Sequence, residues 1–117
     1  MAELTVTIYH NPRCSKSRKT LELLRENGIE PSIVEYLKTP PDKAALRKIT
    51  NMLGLNAEKI VRKGEDTFKQ HFAGKTLNED QWLDALAKYP ILLERPIVVK
   101  GTQAVLGRPP ENVLDLL

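Results

Sequence analysis

The stretch Ile8–Arg18 constrains the fold more than any other part of this 117-residue chain, because a strand pattern changes into a helix pattern there. Before it, hydrophobic and polar residues alternate from Leu4 to Tyr9, which is typical of a half-buried strand. Asn11-Pro12 predicts a turn, and helical spacing follows. The stretch also holds the single cysteine of the sequence, Cys14. We therefore expect Cys14 at the first turn of a helix that follows a strand.

The position predicted for Cys14 favours the thiolate over the thiol. Backbone N–H groups at a helix N-terminus lack intrahelical partners, and the helix dipole is positive there. Four basic residues crowd the same turn, and nearby positive charge lowers the pKa of a thiol further. They are Arg13, Lys16, Arg18 and Lys19. The pattern indicates a nucleophile beside an anion site, and the alternative is a cysteine that serves only as a small buried hydrophobic residue.

Length and composition are typical of one globular domain, 1–117. A chain of this size with 41% hydrophobic residues can bury a core without a disulfide or metal. A single cysteine cannot form an internal disulfide, which favours a reducing compartment. The chain starts without the features of a signal peptide, and no apolar run is long enough to span a membrane. The net charge of only +3 is too little to indicate nucleic-acid binding. We therefore expect a cytoplasmic protein with no nucleic-acid, membrane or metal partner.

The first third of the chain predicts a β-α-β unit. The helix that begins near Cys14 should end at Asn27-Gly28, since glycine readily adopts the left-handed conformation that closes a helix. A second strand is expected over Ser32–Leu37. A helix between two strands implies that the strands are parallel and that the crossover is right-handed.

The middle of the chain is predicted to be helical. Thr39 or Asp42 could cap a helix that carries Pro40 and Pro41 in its first turn. The best-specified helix start combines Asn78 and Gln81 in a capping box, and helical spacing then places Trp82 in the core.

The last part of the chain predicts a β-hairpin and a helix. Ile97–Val99 and Gln103–Leu106 flank a short turn that contains Gly101. A helix is then expected over Glu111–Leu117. Its inward residues should be Val113, Leu114 and Leu117.

This order of elements is that of an α/β, thioredoxin-like fold with a helical insertion, over about 40–90, between the β-α-β half and the β-β-α half. The fold places a cis-proline directly before its third strand and beside its active-site turn. We therefore expect the Arg95–Pro96 peptide bond to be cis.

Three arginines lie at predicted element boundaries: Arg62, Arg95 and Arg108. Taken singly, each could be a surface charge or a carboxylate partner. Guanidinium groups also suit bidentate recognition of oxyanions. In the expected fold, Arg95 and Arg108 converge on Cys14. Three such groups would lower the pKa of the thiol and bind a tetrahedral oxyanion.

At these residues the sequence resembles the glutaredoxin-coupled arsenate reductases of the thioredoxin superfamily, over essentially the whole chain. The matching motifs are Tyr9-His10-Asn11-Pro12-x-Cys14-x-x-Ser17-Arg18, Val61-Arg62-Lys63, Pro90-Ile91-Leu92-x-x-Arg95-Pro96-Ile97-Val98-Val99, and Arg108-Pro109 followed by Val113-Leu114-Asp115.

The resemblance implies roles for five residues. Cys14 would be the nucleophile, and His10 would tune its thiol. The oxyanion would be bound and polarised by Arg62, Arg95 and Arg108. The resemblance also implies arsenate as substrate, glutathione as co-substrate, glutaredoxin as partner and no bound cofactor.

Two features depart from the family pattern: the chain stops at Leu117, sooner than in some members, and Ser15-Lys16 is more basic than in those members. Other thiol enzymes are excluded by spacing. A phosphatase-type loop needs arginine where Thr20 stands, and a dithiol enzyme needs cysteine where Ser17 stands. The alternatives that stay open are a glutathione-dependent reductase of another substrate and a non-enzymatic relative that resembles redox regulators bound to RNA polymerase.

Overall fold

In the computed structural model of this chain, residues 5–117 are described. Their contacts define two compact units. The sheet unit comprises the described residues up to Thr39 together with Arg95–Leu117, and the helical unit is Pro40–Glu94. The single domain expected over 1–117, with its insertion over about 40–90, stays a prediction.

The sheet unit is built on four strands in the order β2-β1-β3-β4. The strands are β1 Val6–His10, β2 Ser32–Glu35, β3 Ile97–Lys100 and β4 Gln103–Leu106. β1 pairs in parallel with β2, as the β-α-β pattern predicts, and antiparallel with β3. β3 and β4 form the expected hairpin. The central position of β1 places its end, and the turn that follows, in the middle of the sheet edge.

The alternation predicted for β1 is confirmed where the structure describes it. Val6, Ile8 and His10 are buried, and the residues between them are half-buried. Leu4, which the pattern placed on the same buried face, lies outside the described residues. His10 is opposite Glu35 in the register with β2. The buried face of the strand therefore ends on a polar side chain.

Helix α1, Ser15–Glu26, packs its buried stripe on the sheet, and Gly28 follows it with a φ of 78°. The left-handed conformation predicted for this glycine is confirmed. Around the stripe lies a core of apolar side chains from both halves of the sheet unit. They are Val6, Ile8, Leu21, Leu24, Val98, Val113 and Leu116.

The last segment corrects the sequence prediction. Pro110–Leu116 is a 3-10 helix and not an α-helix, and it buries Val113 and Leu116. Leu114 and Leu117 are 43% and 44% exposed, so their predicted inward positions are wrong. Three residues per turn align positions three apart, whereas the prediction assumed α-helical spacing.

The helical unit contains three α-helices and two 3-10 segments. The α-helices are α2 Lys43–Leu53, α3 Asp66–His71 and α4 Glu79–Lys88, and the 3-10 segments are Ala57–Ile60 and Pro90–Leu92. Asp42 caps α2 by accepting a hydrogen bond from the Ala45 N–H at 2.8 Å, so the prolines expected in its first turn precede the helix instead.

The capping box predicted for α4 is confirmed. The Asn78 side chain accepts from the Gln81 N–H at 2.8 Å, and the Gln81 side chain accepts from the Asn78 N–H at 2.9 Å. Trp82 is 4% exposed and stacks on Phe68, as expected of a core residue.

Candidate active site

The candidate site is built on the turn between β1 and α1. Cys14 is the N-cap residue of α1, the position that the sequence predicts. Asn11 organises the turn: its carbonyl accepts the Cys14 N–H at 3.0 Å, and its side chain accepts the Arg13 N–H at 3.0 Å. The Cys14 carbonyl then accepts the Arg18 N–H, which starts the helix. The thiol is thus fixed where the first N–H groups of α1 are exposed.

The environment of Cys14 lowers the pKa of its thiol. Partial burial raises this pKa, but the backbone N–H groups of Ser17 and Lys16 and the guanidinium of Arg95 together outweigh that effect. Arg95 acts through both its charge and a side-chain hydrogen bond. The half-buried thiol is therefore favoured as a thiolate at a lower pH than a free cysteine, as a reactive nucleophile requires.

The cations that the sequence predicts around the thiol, the basic residues of its turn and the arginines of the expected fold, do not act on it equally. The four basic residues of the turn, Arg13, Lys16, Arg18 and Lys19, are exposed. Water and salt screen charges in such positions. The acting cation is Arg95, which comes from the other end of the sheet unit's sequence and reaches Cys14 through the pairing of β1 with β3.

Arg95 and Arg108 lie together, as the fold predicts. The Arg108 side chain donates to the Arg95 carbonyl at 3.4 Å. The Arg95–Pro96 peptide bond is cis, and so is Arg108–Pro109, which the sequence analysis did not predict. Two arginines that each precede a cis-proline are thus brought side by side at the start of β3 and the end of β4.

Gly107 allows this end of the sheet to approach α1 closely. A Cβ atom at Gly107 would lie 2.6 Å from Oγ1 of Thr20 and 2.7 Å from Cγ of Pro96. The Gly107 N–H donates to the Pro96 carbonyl at 2.8 Å, and the Thr20 hydroxyl lies 3.4 Å from the Gly107 carbonyl. The glycine therefore fixes the start of the Arg108 turn against the helix that carries Cys14.

His10 lies directly before the turn and is 6% exposed. Its Nδ1 is 2.6 Å from the hydroxyl of Ser17. Burial lowers the pKa of His10, Glu35 raises it, and Arg25 and Arg18 lower it, with a net shift downward. The imidazole is therefore favoured in its neutral form at neutral pH.

Arg62 belongs to the helical unit. Val61 forms an isolated antiparallel bridge with Leu93, and the Arg62 N–H donates to the Leu92 carbonyl at 2.7 Å. The Arg62 guanidinium is ion-paired with Glu65 and Glu94, each at 3.1 Å. The structure thus brings together Cys14, Arg95, Arg108 and His10 in the sheet unit, and holds Arg62 in a carboxylate network of its own unit.

Sequence reasoning missed two buried polar residues of α1. Ser17 and Thr20 share the inward stripe with Leu21 and Leu24, and both are fully buried. Polar residues on an otherwise apolar stripe at helical spacing are the signal that could have revealed them, because a buried hydroxyl needs a partner. No comparable sequence pattern indicates the role of Gly107.

Other types of site find no support within residues 5–117. No group of three or more His, Cys, Asp or Glu side chains there could hold a metal ion. Over the same range, every helix is too short or too polar to cross a bilayer.

The arrangement at Cys14 suits nucleophilic attack on an oxyanion. The thiolate is stabilised by backbone N–H groups, and guanidinium groups at the same place can neutralise negative oxygens and accept charge that develops on them. Both the thiol and these guanidinium groups come from elements whose positions the sheet fixes.

Comparison with known proteins places these features in a family. The sequence matches the model of the ArsC family over residues 9–116. It is 51% identical over 114 residues to the uncharacterized Escherichia coli protein YfgD, covering 96% of each chain. It is 47% identical to an arsenate reductase of Neisseria meningitidis serogroup A, covering 96% of this chain and 97% of that protein.

A solved structure shows the same architecture. The arsenate reductase from Vibrio cholerae superposes with a TM-score of 0.94 at 45% identity, covering 99% of this chain and all of that one. The predicted α/β, thioredoxin-like fold is therefore confirmed. The cysteine turn, the paired arginines and these matches together show that the chain belongs to the ArsC family.

Proposed function

We propose that this protein reduces arsenate to arsenite, with Cys14 as the nucleophile. The observation that carries the proposal is the Cys14 sulfur at the N-terminus of α1, facing the N–H groups of Ser17 and Lys16 and the guanidinium of Arg95. Relatives at 40–47% identity over most of the chain are named arsenate reductases. The site supplies both a thiolate and cationic groups that match a tetrahedral oxyanion.

The main oxyanion-binding groups in this proposal are Arg95 and Arg108. Their proximity allows two planar forks to share one tetrahedral anion, and withdrawal of electron density by these groups makes arsenic more electrophilic. Arg62 is proposed as the third binding group. Because it is paired with Glu65 and Glu94, its contribution depends on exchange of a carboxylate partner for the anion.

Electron counting requires an external thiol. Reduction of As(V) to As(III) takes two electrons, which oxidation of two thiols to one disulfide supplies. The chain has one cysteine, and the place of a resolving cysteine is taken by Ser17. We therefore propose glutathione as co-substrate and glutaredoxin as partner. No bound cofactor is needed in this scheme, and a reducing compartment such as the cytoplasm suits it.

The proposed steps balance atoms and electrons. The Cys14 thiolate attacks arsenic, forming an S–As bond while one arsenate oxygen leaves as water. Glutathione forms a second S–As bond, and a second oxygen leaves as water. The two sulfurs then join in a disulfide and the electron pair passes to arsenic, which leaves As(III) with two oxygens. One water adds to this species, and arsenite is released. Glutaredoxin reduces the mixed disulfide on Cys14 and restores the thiolate.

A coupled assay tests this proposal. NADPH oxidation is followed with arsenate, glutathione, glutaredoxin and glutathione reductase, and each component is omitted in turn. We expect turnover that depends on glutathione and glutaredoxin together. Robust turnover with thioredoxin and no glutathione would contradict the proposed electron route. Absence of arsenate turnover from an enzyme whose Cys14 still forms a glutathione mixed disulfide would indicate another substrate.

A further inference from the structure

Ser17 has a hydroxyl that the proposed reaction does not use. The residue is fully buried, whereas Ser15 and Lys16 in the same turn are exposed. Its Oγ lies 2.6 Å from Nδ1 of His10 and accepts the Asn11 N–H at 3.1 Å. Its backbone N–H acts on the sulfur of Cys14. One residue therefore connects the end of β1, the turn and the thiol.

The hydrogen atoms in this network can be assigned by counting donors and acceptors. A serine hydroxyl donates one hydrogen bond and can accept two. The Asn11 N–H occupies one acceptor position of Ser17. If Nδ1 of His10 accepts, the hydroxyl hydrogen is used as well. If Nδ1 instead donated, that hydrogen would need a further acceptor, and a buried donor left unpaired is destabilising.

We propose that Ser17 is a positioning residue whose hydroxyl donates to Nδ1 of His10, holds the imidazole neutral with its proton on Nε2, and fixes through Asn11 the turn that presents N–H groups to Cys14. His10 then acts on the thiol through hydrogen bonds and not as a cation. The consequence for arsenate rests on the proposed function, but the thiolate itself can be measured without arsenate.

The charges around His10 agree with a neutral ring. His10 lines a cleft of about 240 Å³ beside the turn. Charged residues act on the ring or line the same cleft from three directions. They are Glu35 of β2, Arg18 and Arg25 of α1, and Arg13 and Lys38 of the adjoining turns. A protonated imidazole would add a positive charge where cations already outnumber the single carboxylate.

The protonation of His10 can be observed directly. Imidazole nitrogen chemical shifts, measured by NMR on the intact reduced protein at neutral pH, distinguish the two neutral tautomers from the cation. We expect His10 to carry its proton on Nε2 alone. The exposed His71 serves as an internal reference in the same spectrum. A proton on Nδ1, or an imidazolium at neutral pH, would overturn the assignment.

Paired substitutions test the positioning role. Asparagine offers an acceptor where His10 has Nδ1, whereas glutamine places its polar atoms farther out. His10→Gln and Ser17→Ala should each raise the pKa of Cys14 by about half to one unit, so that thiolate alkylation below that pKa slows about threefold to tenfold. His10→Asn should shift the titration of Cys14 less than His10→Gln does.

A double-mutant comparison separates positioning from general destabilisation. With Ser17→Ala already in place, the difference between His10→Asn and His10→Gln should disappear, because the hydroxyl that distinguishes them is gone. Persistence of that difference, or equal titrations of the two single variants, would overturn the proposal. If Ser17→Ala does not fold, the two His10 variants and the tautomer still decide the question.

Discussion

The N-termini of α1 and α4 both present backbone N–H groups that lack intrahelical partners, and the two helices differ in what these groups contact. At α4, Asn78 and Gln81 satisfy each other's backbone N–H groups, and Glu79 and Asp80 complement the helix dipole. At α1, no side-chain oxygen or nitrogen makes a capping hydrogen bond, and the first turn has no acidic residue. The N–H groups and positive dipole of α1 are left to act on the Cys14 thiol.

The difference shows how a functional site can be distinguished from a structural one. A helix start that serves stability pairs its own donors, as at Asn78. A helix start that serves chemistry would keep its donors for a group that gains charge, and at α1 they act on the Cys14 thiol. Substitutions at the two ends should therefore separate stability from reactivity.

Replacement of the proposed nucleophile, Cys14, should have the largest effect. Cys14→Ser should reduce glutathione-dependent arsenate reduction more than about a thousandfold, because a serine hydroxyl does not ionise comparably in this environment. Serine is also a favourable N-cap residue, so at a pH below the folded pKa of the thiol the free energy of unfolding should not fall. Turnover in the coupled assay and denaturant unfolding measure the two effects. Substantial turnover by this variant would refute the role of Cys14.

Removal of a guanidinium group should have the next largest effect. Arg95→Ala and Arg108→Ala should each lower kcat/KM for arsenate about a hundredfold, the range reported for loss of one oxyanion-stabilising donor. Arg95→Lys should recover only part of that loss, because lysine lacks the planar fork. Arg62→Ala tests whether the third arginine contributes despite its two carboxylate partners.

A matched control is available for the arginine variants. Arg47 is exposed and pairs with Asp80 on the surface of the helical unit. Arg47→Ala should leave kcat/KM near the wild-type value. Equal losses in Arg47→Ala and Arg95→Ala would show that net charge, and not a local oxyanion site, controls the reaction.

Gly107→Ala should disturb the site indirectly, through the turn that carries Arg108. The added Cβ would meet Thr20 and Pro96 at well under contact distance, and overpacking of this kind costs about 1–3 kcal/mol. We expect lower stability together with a weakened apparent affinity for arsenate, because the turn that carries Arg108 must shift. Gly64→Ala is the control, since a Cβ there meets no atom within 4 Å. Identical behaviour of the two variants would contradict this role of Gly107.

The sequence was sufficient for the local features of both helix starts and insufficient for the contacts that join distant segments. Asn78 with Gln81, and the cysteine after Asn11-Pro12, are local patterns that a short window specifies. The cations that act on Cys14 were predicted in part. The inferred fold brought Arg95 to the thiol, as the pairing of β3 with β1 does, whereas sequence proximity also gave a role to the turn's own basic residues, which are exposed.

The last helix and Gly107 also show that packing between distant segments could not be predicted from the sequence. Leu114 and Leu117 were placed inward because α-helical spacing was assumed, and the choice of a 3-10 helix depends on packing against α1 and β4. The need for glycine at position 107 arises only when Thr20 and Pro96 are brought to it. Neither fact is encoded in a local window of sequence.

The pKa of Cys14 should also appear in the pH dependence of stability. Its pKa is lowered in the folded protein, so the unfolded chain binds more protons between the folded and unfolded pKa values. The stabilisation is therefore fully present above the unfolded value, about 8.5, and is lost as pH falls through the folded value. The free energy of unfolding of the wild type, relative to Cys14→Ser, should rise with pH across this window. A flat or opposite trend would contradict a stabilised thiolate.

The smallest effect on thiol chemistry should come from the other helix start. Asn78→Ala removes the acceptor for the Gln81 N–H and should cost about 1 kcal/mol of stability, the usual loss for an N-cap residue. The Cys14 titration and kcat/KM should stay unchanged at temperatures where the variant is folded, because α4 contributes no group that acts on the sulfur. Denaturant unfolding and thiolate absorbance against pH measure the two quantities on one sample. A raised Cys14 pKa in Asn78→Ala would show that the capping box supports the Cys14 turn as well as its own helix.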